Sequence, residues 1–238
     1  METITDKIKK YLSDSGADII GIGDLSEIDS SIRKGMQYGI SIAVAIPPSI
    51  IQGIEKAPTP DYFNTYHELN AKLDFLVTNG AGYLCDCGYE AYAQTVSAVA
   101  EHETEYGTVL PHKTIATRAG IGWIGKSALL VTKDFGSAIR ISSILTNAPL
   151  KPDTPVNESL CSDCMICMKA CPAKAVNGIN WRVTTPRDEI LNPVKCRQTA
   201  RAIAKKSIDK EITLCGKCIY ICPYTQKYIL NEKKRIYK

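Results

Sequence analysis

The sequence predicts an α+β layer fold joined to a smaller, cysteine-rich metal-binding domain. Three observations carry that expectation. Strand-like and helix-like patterns alternate over residues 1–150, prolines then interrupt them in "NAPLKPDTPVNESL", and eight of the ten cysteines lie beyond that point. The boundary is placed there, giving domains at 1–155 and 156–238.

The first half is built from recognisable pieces. In "ETITDKIKKYLSDSGAD", Ile4, Ile8 and Leu12 fall on one helical face, and the helix ends near Gly16. "DIIGIG" and "ISIAVAIPP" read as buried strands, the second stopped by Pro47 and Pro48. "DYFNTYHELNAKLDFLVTNG" aligns Tyr62, Tyr66, Leu69, Leu73 and Leu76 and predicts a second helix, ending at Asn79-Gly80. "ALLVT" and "AIRISSILT" read as strands around the turn "KDFG".

Bulk properties exclude several classes. A chain of 238 residues with 45% hydrophobic and 23% charged residues has the composition of an ordinary soluble protein. The net charge of +4 is mild, and much of it sits in "QKYILNEKKRIYK", which reads as a solvated tail. The N-terminal stretch has no apolar export region, and no apolar run reaches the roughly 20 residues that span a bilayer. A cytoplasmic protein is expected, with no membrane partner. There, ten cysteines point to metal or redox chemistry rather than disulfides.

"CSDCMICMKACP" places Cys161, Cys164, Cys167 and Cys171 in the C-x2-C-x2-C-x3-C-P spacing of a ferredoxin cluster run. "CGKCIYICP" repeats its second part with Cys215, Cys218 and Cys222, and Cys196 supplies an earlier ligand. In two-cluster ferredoxins the last cysteine of each run serves the other cluster. By that rule Cys161, Cys164, Cys167 and Cys222 hold one [4Fe-4S] cluster, and Cys171, Cys196, Cys215 and Cys218 hold the second. Structural zinc also takes four cysteines, but usually as separated C-x2-C pairs. A radical-SAM C-x3-C-x2-C run is absent. Cys85 and Cys87 in "LCDCG" read as small residues in or near a strand, with a third redox or metal site as the alternative.

"RAGIGWIGKSALL" satisfies both G-x-G-x-x-G and G-x-x-x-x-G-K-S. Neither context follows. A P-loop needs a buried strand before it and a helix after it, and "HKTIATRA" is too polar for that strand. A dinucleotide fold needs an acidic residue closing the next strand, where Thr146 and Asn147 stand instead. Trp123 would also crowd a phosphate. Two uses remain for Gly120, Gly122 and Gly125: a wall for a large planar cofactor, or a tight turn packing Trp123 into the core.

The stretch "HKTIATRAGIGWIGKSALLVTKDFGSAIRISSILTNAPL", followed by "CSDCMICMKACP", resembles epoxyqueuosine reductase and its relatives, including the catalytic portion of reductive dehalogenases. The similarity is strong over about 110–225. It implies a nitroreductase-like N-terminal domain that binds base-off cobalamin, with two clusters feeding electrons to it. It implies corrin contacts from Gly120, Ile121, Gly122, Trp123, Ile124, Gly125 and Lys126, and from Leu130 and Ile141 on flanking strands. The methyltransferase-type corrinoid motif D-x-H-x-x-G is absent, in keeping with a cobalt that has no protein histidine below it.

Two departures follow. The family's proton-donating Asp has no counterpart in "EHETEYGTVLPHK", where Tyr106 falls near its place. That leaves His112, Lys113, Tyr106 and Glu105 as candidate donors, with His112 first because its ordinary pKa of about 6.5 suits neutral pH. A C-terminal helical-repeat region that helps grip tRNA is also missing, so tRNA is an unlikely partner on this reading. The expected function is a cobalamin-dependent reductase acting on a small substrate, supplied by a low-potential donor such as a ferredoxin or flavodoxin. The alternatives are an electron carrier or corrinoid-delivering protein with no substrate of its own, and a flavin-binding relative of nitroreductases.

Overall fold

A computed structural model describes residues 2–96, 98 and 106–236. In chain order come α1 (Ile4–Asp14), β1 (Ile19–Asp24), β2 (Tyr38–Ala45), α2 (Pro48–Gly53), α3 (Pro60–Asp86), β3 (Ala91–Gln94) and α4 (His112–Arg118). Next are β4 (Trp123–Ile124), β5 (Leu130–Val131) and β6 (Ile139–Thr146). The cysteine-rich end carries α5 (Ile166–Ala170), α6 (Arg187–Ile190), α7 (Pro193–Ile208), α8 (Lys217–Ile221) and α9 (Pro223–Ile236).

The chain divides into two compact units, each drawn from three segments. The first holds Met1–Val44, Leu69–Gly122 and Arg140–Val156; the second holds Ala45–Glu68, Trp123–Ile139 and Asn157–Lys238. One dividing point, after Val156, lies next to the boundary expected from the prolines. The others had no mark in composition: two stretches of the N-terminal half belong with the cysteine-rich unit.

The first unit is a four-stranded sheet in the order β1-β2-β6-β3, with β1 antiparallel to β2 and β3 antiparallel to β6. On one face Ile8 and Leu12 of α1 and Leu73, Leu76 and Leu84 of α3 pack over Ile22, Ile40, Ile42 and Ile144. Each such burial stabilises by about 1.5–3 kcal/mol. On the other face Ile115 of α4 meets Leu25, Met36 and Leu145. Neighbours Ile144 and Leu145 thus point to opposite faces, as strand geometry requires. Helix α1 starts at a capping box: Thr3 Oγ1 accepts the Asp6 N–H at 3.2 Å, and Asp6 Oδ2 accepts the Thr3 N–H at 3.1 Å.

Two sequence expectations change here. Helix α3 runs through Asn79-Gly80 to Asp86. A side chain at position 80 would come within 2.8 Å of Ile144 Cδ1 and 2.9 Å of Leu12 Cδ2, so Gly80 gives packing room and does not stop the helix. Cys85 therefore lies on this helix and Cys87 just beyond it, both exposed, rather than in or near a strand. The strands expected around "KDFG" form as β5 and β6, β5 pairing with β4 and β6 entering the large sheet.

The second unit shows the internal repeat as structure. Helix α5 ends at Cys171 (φ −67, ψ 115) and α8 at Cys222 (φ −62, ψ 127), both extended. Each is followed by a proline, which pushes the residue before it out of the helical region. Helices α5 and α8 pack together, and α2 packs against α8 and α9.

Candidate functional site

The thiols of the cysteine-rich unit crowd one another. Burial pushes the Cys167 thiol up to about 11, and Cys161, Cys164 and Cys222 add to the effect. Burial also raises Cys222, with Cys161 among its neighbours. Cys196 is raised by burial and then by Cys171 and Cys215. Cys218 is driven up most by burial, then by Cys167, Cys171, Cys215 and Cys196. Thus Cys222 of the second run keeps company with the first run, and Cys171 of the first run stands among Cys196, Cys215 and Cys218.

Such crowding tests what the cysteines can hold. Buried thiolates repel one another, and iron binding would offset that repulsion while releasing protons. Among the described residues, no three His, Cys, Asp or Glu side chains converge tightly enough for one metal ion. Eight cysteine thiols in the ferredoxin spacing are the donor set that two cubane clusters take.

The glycine loop is bound up with the fold. It follows helix α4, not a strand, and opens the short β4–β5 pair. Gly120 has φ +68, and a Cβ there would lie 2.4 Å from the Thr154 carbonyl oxygen. A Cβ at Gly125 would lie 2.9 Å from Val131 Cγ2. Trp123 is 1% exposed, and its indole Nε1 donates to Cys161 Sγ at 3.5 Å. Lys126 is 2% exposed, with Nζ donating to the Ser162 carbonyl at 2.6 Å and lying 3.6 Å from Met165 Sδ. The expectation that these two side chains form an open cofactor wall changes accordingly: both are spent on the first cysteine run.

Of the other residues named for a corrin, Leu130 is buried and pairs with Ile124, and Gly122 is buried. Ile121, Ile124 and Ile141 are half-buried.

The candidate proton donors lie on and before α4. His112 is half-buried, with Nδ1 2.9 Å from Ser143 Oγ. Burial, and then the Arg140 guanidinium, hold it down at about 4, against a weaker upward pull from Asp74. At neutral pH the ring is uncharged, so the argument from its ordinary pKa does not apply. Lys113 is half-buried in the first turn of α4. Tyr106 has φ +51, a conformation that bulky residues rarely adopt and that concentrates at functional sites. Glu105 lies outside the described residues.

Sequence reasoning passed over Ser137 and Ser143. Ser137 Oγ is buried without a hydrogen-bond partner of ordinary geometry, yet it stands close enough to Cys222 to favour the thiolate. A lone serine in "DFGSAIR" carries no local signal of that neighbour.

Comparison with known proteins places these features in a lineage. Residues 160–225 match the 4Fe-4S double cluster binding domain. The epoxyqueuosine reductase of Lactococcus garvieae is 33% identical over 168 residues, covering 68% of this chain and 42% of that protein. The chain spans less than half the length of the curated relatives it matches. A reductive dehalogenase described as performing B12-dependent dehalogenation superposes with a TM-score of 0.70 at 16% identity, covering 97% of this chain and 33% of that one. An epoxyqueuosine reductase holding an epoxyqueuosine-modified tRNA stem loop gives 0.60 at 20% identity, covering 93% and 65%.

At those identities the two structures speak for the fold, which is the mixed α+β arrangement expected. One expectation falls. Relatives carry the name epoxyqueuosine reductase and a structural neighbour holds an epoxyqueuosine-modified tRNA stem loop, so the expectation that tRNA is an unlikely partner does not stand. No helix among the described residues is long and apolar enough to cross a membrane. The chain is a homologue of the epoxyqueuosine reductases that carries a 4Fe-4S double cluster binding domain.

Proposed function

We propose that the chain is an iron–sulfur reductase that works with base-off cobalamin. The observation carrying this reading is the double cluster run in residues 160–225, in which Cys222 lies beside Cys161 and Cys167, and Cys196 beside Cys171 and Cys215. Cys161, Cys164, Cys167 and Cys222 hold one [4Fe-4S] cluster; Cys171, Cys196, Cys215 and Cys218 hold the other. A ferredoxin or flavodoxin supplies the electrons. Cobalamin, when bound, supplies reductive cleavage of a carbon–oxygen, carbon–halogen or related bond.

The chain's own residues divide the remaining tasks. Ile121 and Ile141, half-buried in the first unit, would offer the corrin an apolar edge beside Gly120 and Gly122. Tyr106 and Lys113 are the candidate proton donors. His112, neutral at working pH, holds a hydrogen bond with Ser143. The B12-dependent dehalogenase fold and the epoxyqueuosine reductase relatives support this assignment.

One observation favours a second reading. Trp123 and Lys126 turn toward the cysteine run, as they would in a carrier that reduces or delivers a corrinoid without a substrate of its own.

Anaerobic assembly, with iron, sulfide and zinc analysis, tests the clusters: about eight irons are expected. Zinc with negligible iron and sulfide overturns them. Cobalamin titration followed by absorption and EPR comes next, and failure of cluster-loaded protein to bind it removes the cobalamin part. Turnover is then tried on epoxyqueuosine-bearing tRNA stem loops and on halogenated phenols. Cobalamin bound without turnover on either selects the carrier.

A further inference from the structure

Three side chains from the segment Trp123–Ile139 surround one thiol set. Trp123 Nε1 donates to Cys161 Sγ at 3.5 Å, and its ring meets Tyr224 edge-on, with centroids 4.9 Å apart. Lys126 carries its ammonium into the C-x2-C-x2-C loop, against Ser162 O and Met165 Sδ. The buried Ser137 hydroxyl lies beside Cys222 and favours its thiolate, with no hydrogen-bond partner of ordinary geometry among the described residues.

The other set has a different environment. Cys171 Sγ accepts the Ala175 backbone N–H at 3.4 Å, and Cys215 accepts a backbone N–H from Lys217. The Lys217 ammonium also acts on Cys215, but it donates to the Glu55 carbonyl at an exposed position, where solvent screens its charge. Lys126, at 2% exposed, has no such screening.

We infer that Trp123, Lys126 and Ser137 tune the cluster held by Cys161, Cys164, Cys167 and Cys222, raising its reduction potential above that of its neighbour. The inference rests on the two-cluster reading above. Donors to the ligand sulfurs draw electron density from the thiolates, and a buried cation favours the reduced, more negative cluster. One electron from a low-potential one-electron donor reduces the cluster of Cys171, Cys196, Cys215 and Cys218. It then passes to the first cluster, which is reduced as the second is reoxidised. Electrons collect beside Trp123.

The test is an EPR-monitored redox titration of the anaerobically assembled full chain, with iron content measured on every sample. Trp123→Phe removes the N–H and keeps a ring against Tyr224. Ser137→Ala removes only a hydroxyl. Lys126→Met keeps the apolar stem, and Asn180 Nδ2 still donates to the Ser162 carbonyl at 3.1 Å. Lys126→Arg restores the charge.

Two one-electron waves are expected in the parent. In Lys126→Met the higher wave falls by at least a tenfold change in its equilibrium constant, about 59 mV for one electron. Trp123→Phe and Ser137→Ala move it the same way by less, Lys126→Arg leaves it near the parent value, and the lower wave stays put throughout. Fully loaded variants with unmoved waves, or a shift of the lower wave alone, overturn the inference. A parent without two clusters overturns the reading beneath it. If Lys126→Met or Trp123→Phe fails to load, Ser137→Ala decides, because it removes only a single buried hydroxyl beside Cys222.

Discussion

His112 Nδ1 meets Ser143 Oγ at 2.9 Å, joining the first turn of α4 to the strand β6. Burial and Arg140 keep the ring neutral down to about pH 4. The unfolded chain takes up a proton there near pH 6.5, so stability falls as pH drops from 6.5 toward 4.

The full loss across that window is about 3 kcal/mol. His112→Asn keeps a hydrogen-bonding group near Ser143 and does not titrate. Urea unfolding of the variant should lack that part of the pH slope. Equal slopes in parent and variant would show that the folded chain does not hold this ring neutral.

Two glycines of α3 should respond in opposite directions. At Gly82 nothing lies within 4 Å of a new Cβ, so Gly82→Ala should stabilise by up to about 1 kcal/mol through helix propensity. At Gly80 the same methyl meets Ile144 and Leu12 inside the core. Overpacking typically costs about 1–3 kcal/mol and should outweigh the propensity gain. Denaturant midpoints read both changes. A stabilised Gly80→Ala would mean the helix tolerates a wider separation from β6 and α1.

That pair also shows where local pattern stops being informative. Ile4, Ile8 and Leu12 announced α1, and short apolar runs announced β1 and β2, because each signal is complete within a few residues. Asn79-Gly80 has the composition of a helix end, and only the distant Leu12 and Ile144 reveal that the glycine is there for packing. The cysteine runs were legible because ligand spacing is itself the local chemistry. Trp123 and Lys126 were not, since their partners Cys161 and Ser162 lie beyond the proline-rich stretch. The discontinuous units are illegible for the same reason.

The interleaved ligand assignment makes a sharp prediction about double variants. Cys161→Ser with Cys222→Ser removes two ligands of one cluster and should leave the other, with about four irons. Cys161→Ser with Cys171→Ser takes both ligands from one run and should damage both clusters. Iron content and EPR separate the two outcomes. A first pair that loses everything, with a second that keeps one intact cluster, would reassign Cys171 to its own run. Cys85→Ser and Cys87→Ser, both at exposed positions, should leave iron unchanged.

The last prediction concerns nucleotides. The run Gly120 to Ser127 spells a P-loop, and in a working P-loop the lysine reaches the β- and γ-phosphates from a strand–loop–helix turn. Here the loop leaves a helix and enters a short strand pair. Lys126 is buried at 2% exposure and already donates at 2.6 Å to the Ser162 carbonyl. To bind phosphate it would have to abandon that acceptor and leave the cysteine run. ATP and NAD should therefore neither raise the melting temperature nor slow proteolysis of this loop. Lys126→Ala should lower cluster content or thermal stability, because it empties a buried space beside Met165. Its cost falls in the range of about 1–3 kcal/mol expected when a buried hydrogen-bonding group is deleted. Tight ATP binding that this substitution abolishes, with iron content unchanged, would restore the nucleotide reading of the loop.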